Sequence, residues 1–281
     1  MQPSRLLVLS TVAVIALGVC ALELNRQSND SRQNIKTIRV YCAAGIADPI
    51  EQLIRQFNTV SDVKAELARS AGSGELAGQI NMEFETGLDQ HADVFVCSDQ
   101  ILMENAQAKG IIENSFPIAT QRLVIAVPAD TKQTQNQTFQ PASLRTLLQS
   151  NLRFGIASKT AAVGKLTRQV GANEFVLEQL ESQKKLDAEN VMTLAQALAT
   201  GSLDAAVVWD TTVTQVNDQS KIPTLKVATI LAPDLSSHIS AGILSTANEH
   251  SACENLIQFL LSKSSQQHLQ SLGYTVPNDS R

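Results

Sequence analysis

The chain is poor in the residues that many recognition chemistries need. Only 4% of its 281 residues are aromatic, with one Trp and two Tyr, which excludes a platform for stacked bases or sugars. It has no basic run and a net charge of −5, which excludes nucleic acid as a partner. Its four His lack a His-x-x-x-His spacing and its four Cys lack Cys-x-x-Cys, so neither residue marks a metal centre. There is no Gly-x-Ser-x-Gly elbow, tandem repeat, low-complexity tract or signalling domain. An anion bound by such a chain is held by local dipoles, not by overall attraction.

What is present describes an exported globular protein. Hydrophobic residues make up 43%, enough for one large domain or two small ones. Arg5 precedes an uncharged apolar run over residues 6–22, followed by a polar stretch over 25–33. This reads as an export signal over residues 1–36, with three open fates: cleavage after Ala21, lipidation at Cys20, or retention as an anchor. Each places the globular part in the periplasm or on the outer face of the inner membrane. Cys42, Cys97 and Cys253 read as small buried apolar residues, with a Cys42–Cys97 bridge left open.

From residue 37 onward, apolar strands alternate with amphipathic helices. Strands are expected at 38–42, 63–68, 92–97, 123–127, 154–157, 205–209, 225–230 and 241–244. Asp48-Pro49-Ile50-Glu51 has the form of a capping box, ahead of Ile50, Leu53, Ile54 and Phe57 on one helical face. A long helix is expected from the Gly164 region into the 180s, a surface loop at 129–141, and two terminal helices at 252–261 and 264–272. The pattern predicts an α/β fold of two lobes, each a mixed, mostly parallel sheet with helices on both faces. Lobe 1 spans 37–122, completed by about 233–281, and lobe 2 spans 123–232. Ligands of such folds sit where strand ends and helix starts converge.

The most informative segment is Gly72-Ser73-Gly74, between an alternating strand and a helix carrying Leu76, Ile80 and Phe84. Two readings stand: an ordinary turn with Ser73 as the helix cap, or a turn offering a hydroxyl and free N–H groups to an anion. Asp210, after Trp209, reads as a helix cap.

Several segments occur together and in order: Tyr41-Cys42-Ala43-Ala44-Gly45, Gly72-Ser73-Gly74-Glu75-Leu76 with Gln79-Ile80, Ala92-Asp93-Val94-Phe95 with Ser98-Asp99-Gln100, Val191, and 203–209 ending at Trp209. Over residues 37–277 the chain resembles the molybdate-binding proteins of ABC importers, within the type II periplasmic binding proteins. The resemblance implies a two-lobe fold gripping molybdate or tungstate through neutral donors, with no other cofactor and no free metal cation. It assigns Ser73 a hydroxyl contact, Val163 and Val191 backbone N–H contacts, and sets Trp209 where that family has a Tyr. Gly45 falls where the family has a Ser, so only the backbone N–H remains there. The implied function is a monomeric, non-enzymatic receptor that hands its oxyanion to a membrane permease with its ATPase subunit. The alternatives are a same-fold receptor for sulfate, phosphate or a metal ion, a membrane-tethered sensor, and a hydrolase with Ser73 as nucleophile.

Overall fold

The computed structural model describes residues 37–87, 91–129, 141–220 and 223–277. The segment read as a signal or anchor, and nearly all of the expected 129–141 loop, lie outside these residues. Residues 37–281 form one compact unit. The chain runs through β1 (Thr37–Ala43), a 3-10 turn (Ala44–Ile46), α1 (Ala47–Val60), β2 (Lys64–Ala71), α2 (Ser73–Thr86), β3 (Val94–Cys97), α3 (Gln100–Ala108) and the long β4 (Ile112–Pro128). It continues through α4 (Leu144–Leu148), β5 (Phe154–Ala157), α5 (Ala162–Asn173), α6 (Leu177–Gln183), β6 (Leu186–Ala188), α7 (Val191–Ala199), β7 (Ala205–Trp209), α8 (Asp210–Asp218) and β8 (Leu225–Ile230). Then come β9 (Ser236–Leu244), α9 (His250–Leu260) and α10 (Lys263–Ser271).

Two mixed sheets share one strand. The first has the order β2-β1-β3-β9-β4, with β1 parallel to β2 and β3 and with β9 antiparallel to both its neighbours. In the second, β7 and β8 flank β4 antiparallel, and β5 lies parallel between β7 and β6. Residues 112–122 of β4 pair with β9, while 123–128 pair with β7 and β8. The strand therefore passes directly from one lobe into the other. Strands such as Val94–Cys97 and Ala205–Trp209 are buried throughout, as expected when helices cover both faces. In the first lobe, Leu53, Phe57 and Leu256 pack on one face, and Leu76, Ile80 and Met103 belong to the core of the other. The second lobe has a single core around Ile125, Leu194 and Val207. This is the expected two-lobe α/β plan.

Some local expectations are corrected. The helix after β1 starts at Ala47 with Ile46 as N-cap and no side-chain cap, so Asp48 does not close a capping box. Its Oδ2 instead accepts from Gln219 Nε2 of the second lobe at 2.8 Å. The long helix expected into the 180s breaks at Phe175, whose φ is 59°. There Phe175 N–H donates to Ala172 O (3.1 Å) and Val176 N–H to Gly171 O (2.8 Å), a Schellman ending built on Phe where Gly is usual. Cys42 pairs in register with Val96, so Cys97, one residue on, faces the opposite side of the sheet. Cys42 and Cys97 accordingly sit in different cores, and both are free thiols.

Candidate ligand-binding site

Each strand that ends at the junction of the two lobes hands the chain directly to a helix start. β1 leads to the 3-10 turn holding Gly45, and β2 to α2, whose N-cap is Gly72. In the second lobe, β5 leads to the start of α5 and β6 to α7, while Trp209 ends β7 and is the N-cap of α8. The first N–H groups of a helix have no intrahelical acceptor, so this convergence concentrates donors and positive dipole ends at one place. Asn190 Oδ1 accepts from Met192 N–H (3.0 Å) and Thr193 N–H (3.1 Å) of α7. That leaves the Val191 N–H as the uncommitted donor of that first turn.

A small cavity lies at this junction. It is lined by Ala43, Ala44 and Gly45, by Ala71, Gly72, Ser73 and Ser98, and across the lobes by Ala161, Ala162, Val163, Asn190, Val191 and Trp209. All five residues singled out from the sequence (Gly45, Ser73, Val163, Val191 and Trp209) thus line one cavity. About 20 Å³ of it is open to the centre of a water molecule, room for one or two waters or a compact ion. None of the lining side chains is charged. What they offer is the hydroxyls of Ser73 and Ser98, the Asn190 amide, the Trp209 indole N–H and backbone N–H groups.

Ser73 is not a helix cap. It is the first residue of α2, 2% exposed, and its Oγ lies 3.1 Å from Ser98 Oγ while accepting from the Ser98 N–H at 3.4 Å. Among the described residues no base is hydrogen-bonded to it. Cys97, which also approaches Ser73, is pushed up to about 12 by burial and holds its proton. Asp210 is likewise not a cap but the first residue of α8, where Oδ1 accepts from the Arg122 N–H (3.0 Å) and Oδ2 from Arg122 Nε (2.8 Å). Its charge is thereby committed to the point where β4 crosses between lobes. Ser98 and Asn190 were not assigned a ligand contact from the sequence. Ser98 stood in the segment Ser98-Asp99-Gln100 that carries the resemblance, and the signal of Asn190 was its position, at a strand end before a helix.

Gly45 and Trp209 face each other from opposite lobes. A Cβ on Gly45 would lie 3.2 Å from Trp209 Cδ1, 3.3 Å from Val191 Cγ1 and 3.4 Å from Trp209 Nε1. The indole therefore occupies the space that a side chain at position 45 would need. The Gly45 carbonyl is turned the other way, accepting from Tyr274 OH (2.8 Å) and from Gln215 Nε2 (3.0 Å) of α8. On the far side of the cavity, Gly74 N–H donates to Thr160 O at 3.1 Å and Lys165 Nζ meets Asp99 Oδ2 at 2.7 Å. Apart from the Tyr274–Gly45 bond, which lies within the first lobe, these contacts cross between lobes on both flanks of the cavity.

Residues 38–275 match the family model of bacterial extracellular solute-binding proteins. The chain belongs to that family. A Haemophilus influenzae protein described as a binding protein is 25% identical over 184 residues, 65% of this chain and 70% of that one. Among solved structures, the periplasmic molybdate-binding protein of Azotobacter vinelandii aligns with a TM-score of 0.68 at 19% identity, covering 86% of this chain and all of that one. The sulfate-binding protein SubI of Mycobacterium tuberculosis aligns with a TM-score of 0.67 at 12% identity, covering 87% and 88%. At these identities the structures establish the fold, a two-domain periplasmic-binding-protein fold. Among the described residues, no helix is long and apolar enough to cross a membrane.

Proposed function

We propose that this solute-binding protein serves an ABC importer as the receptor for a small, fully deprotonated tetrahedral oxyanion, molybdate or tungstate, enclosed between lobes 37–122 with 233–281 and 123–232. One observation carries the reading: the cavity is lined from both lobes by uncharged hydrogen-bond donors and by no ionised side chain. A dianion in such a place is stabilised by fixed dipoles, each helix start contributing about 0.3–1 kcal/mol and up to about 2 kcal/mol when partly buried. A metal cation needs carboxylate, thiolate or imidazole ligands, and the lining supplies none. A hydrolase needs a base for Ser73, and its partner is another serine. The cavity's size favours a compact ion over an organic solute. In this role Ser73 donates its hydroxyl, Gly45, Val163 and Val191 their N–H groups, and Trp209 its indole N–H. The loaded protein then docks as a monomer on a permease and its ATPase subunit.

The test is a thermal-shift and calorimetric screen of residues 37–281 against molybdate, tungstate, sulfate, phosphate and divalent cations. A ligand at about 100 times its Kd adds about 2.7 kcal/mol of stability, a shift that is easily read. Molybdate and tungstate are expected to stabilise the protein with affinities at least about tenfold above sulfate, a gap of about 1.4 kcal/mol. Equal shifts from all three anions refute the specificity, and a response to cations alone refutes the oxyanion reading.

A further inference from the structure

We infer that Ser98 is a second ligand-binding hydroxyl that works as a pair with Ser73, a proposal that rests on the oxyanion reading above. Both side chains line the cavity, with Ser73 2% and Ser98 6% exposed. The main chain of Ser98 is already satisfied: its N–H donates to Ser73 Oγ and its carbonyl accepts from Ser237 Oγ at 2.7 Å. The hydroxyl of Ser98 is therefore not needed to hold its own backbone. Among the described residues its one hydrogen-bond partner is Ser73 Oγ, 3.1 Å away, and either oxygen can be the donor.

Counting hydrogens gives the pair its function. Two hydroxyls share one mutual hydrogen bond, so one hydroxyl hydrogen is left with no oxygen or nitrogen acceptor among the described residues, only the weak acceptor Cys97 Sγ beside Ser73. Both hydroxyls line a cavity otherwise furnished mainly with donors, where the second hydrogen is best matched by a ligand made of acceptors. A fully deprotonated oxyanion accepts the free hydrogen first. It can then accept the second, because a hydroxyl hydrogen swings about its C–O bond without moving a heavier atom. Ser73 stays in place throughout, since its oxygen still accepts from the Ser98 N–H. The pair thus supplies two donors at the cost of one internal bond, and it adds no charge to the cavity. A protonated oxyanion such as hydrogen phosphate carries a hydrogen of its own, which a cavity lined mainly by donors satisfies poorly.

The experiment is titration calorimetry with molybdate on the parent protein, Ser98→Ala, Ser98→Cys and Ser73→Ala, alongside the thermal midpoint of each without ligand. Ser98→Ala is expected to weaken molybdate about 10- to 100-fold, comparable to Ser73→Ala, the loss typical of one hydrogen bond to a charged group. Its unliganded midpoint should stay at the parent's. Ser98→Cys, which keeps the shape with a weak donor, should recover the packing but not the affinity. If the parent binds molybdate and Ser98→Ala binds it equally well, the pair is not a binding device. If Ser98→Ala lowers the unliganded midpoint while keeping affinity, Ser98 is a packing residue and the inference falls. A parent that binds none of molybdate, tungstate and sulfate overturns the oxyanion reading itself, and this inference with it.

Discussion

Replacing Gly74 with alanine tests whether the lobes close as described. A Cβ at this position would stand 2.3 Å from Thr160 O and 3.1 Å from Thr160 C across the interface. Restoring ordinary contact means parting the lobes by about 1 Å here, because neither partner is the yielding tip of a long side chain. That displacement stretches the 3.1 Å bond from Gly74 N–H to Thr160 O to about 4 Å, beyond hydrogen bonding. The closed form then loses about 0.5–1.5 kcal/mol from the bond alone, with the residual overlap adding to it. The open form loses nothing, since water solvates both groups. Folding stability should hold or rise slightly, because alanine is the better helix former. A ligand that binds only the closed form should therefore bind at least about 2- to 10-fold more weakly. Calorimetry with molybdate gives the affinity, and small-angle scattering gives the compaction on loading. Parent-like affinity with parent-like compaction refutes the argument that glycine is needed for closure.

Three further outcomes follow from the same geometry. Trp209 should report binding through its fluorescence, and Trp209→Tyr should bind molybdate better than Trp209→Phe, which lacks a donor; equal binding by the two makes the indole a packing group only. Phe175→Gly should stabilise the protein by up to about 1 kcal/mol in urea unfolding, since Phe175 is 89% exposed and bears a left-handed backbone (φ 59°) that glycine adopts freely; a loss of stability would show that the ring contributes packing. Hydrogen bonds from Arg153 hold the Asp204 carboxyl below its usual range, so its contribution is present above the unfolded-state value of about 3.9 and is lost as pH falls through the lower folded one. Asp204→Asn should therefore be less stable than the parent at neutral pH, with the gap closing at acid pH, and a gap that stays constant from pH 7 to pH 3 argues against it.

Ser73 was legible from its strand-to-helix turn, where an apolar run gives way to small residues and then to helical spacing; Gly45, Val163, Val191 and Trp209 were assigned through the family resemblance. The partnering inside the cavity was not legible. The segment Ser98-Asp99-Gln100 entered the resemblance without a role for Ser98, because its pairing depends on Ser73, 25 positions away. The expected strand at 123–127 is only the second part of β4. The first part, from Ile112, contains Pro117 and has register shifts between Ile112 and Asn114 and between Pro117 and Ala119, so its burial never settles into strict alternation. The break at Phe175 escaped because a helix end is signalled by glycine, and here phenylalanine takes the left-handed position. β6 is three residues long, too short to show any period. The apparent cap at Asp48 failed for a tertiary reason: its carboxylate is taken by Gln219 of the other lobe.

The placement of β9 sets the order in which the chain can complete itself. All strands of the second sheet have been made by Ile230, so that lobe assembles from contiguous chain. The first sheet waits for β9, made last of all its strands yet seated between β3 and β4. Its pairing joins Val94 to Ile243 across 149 positions of sequence, the kind of non-local contact that slows folding. During synthesis the first lobe therefore holds two unpaired strand edges while the second is already whole. A chain stopped before Ser236 would keep those edges bare, and bare edges are the sites at which strands from separate molecules join.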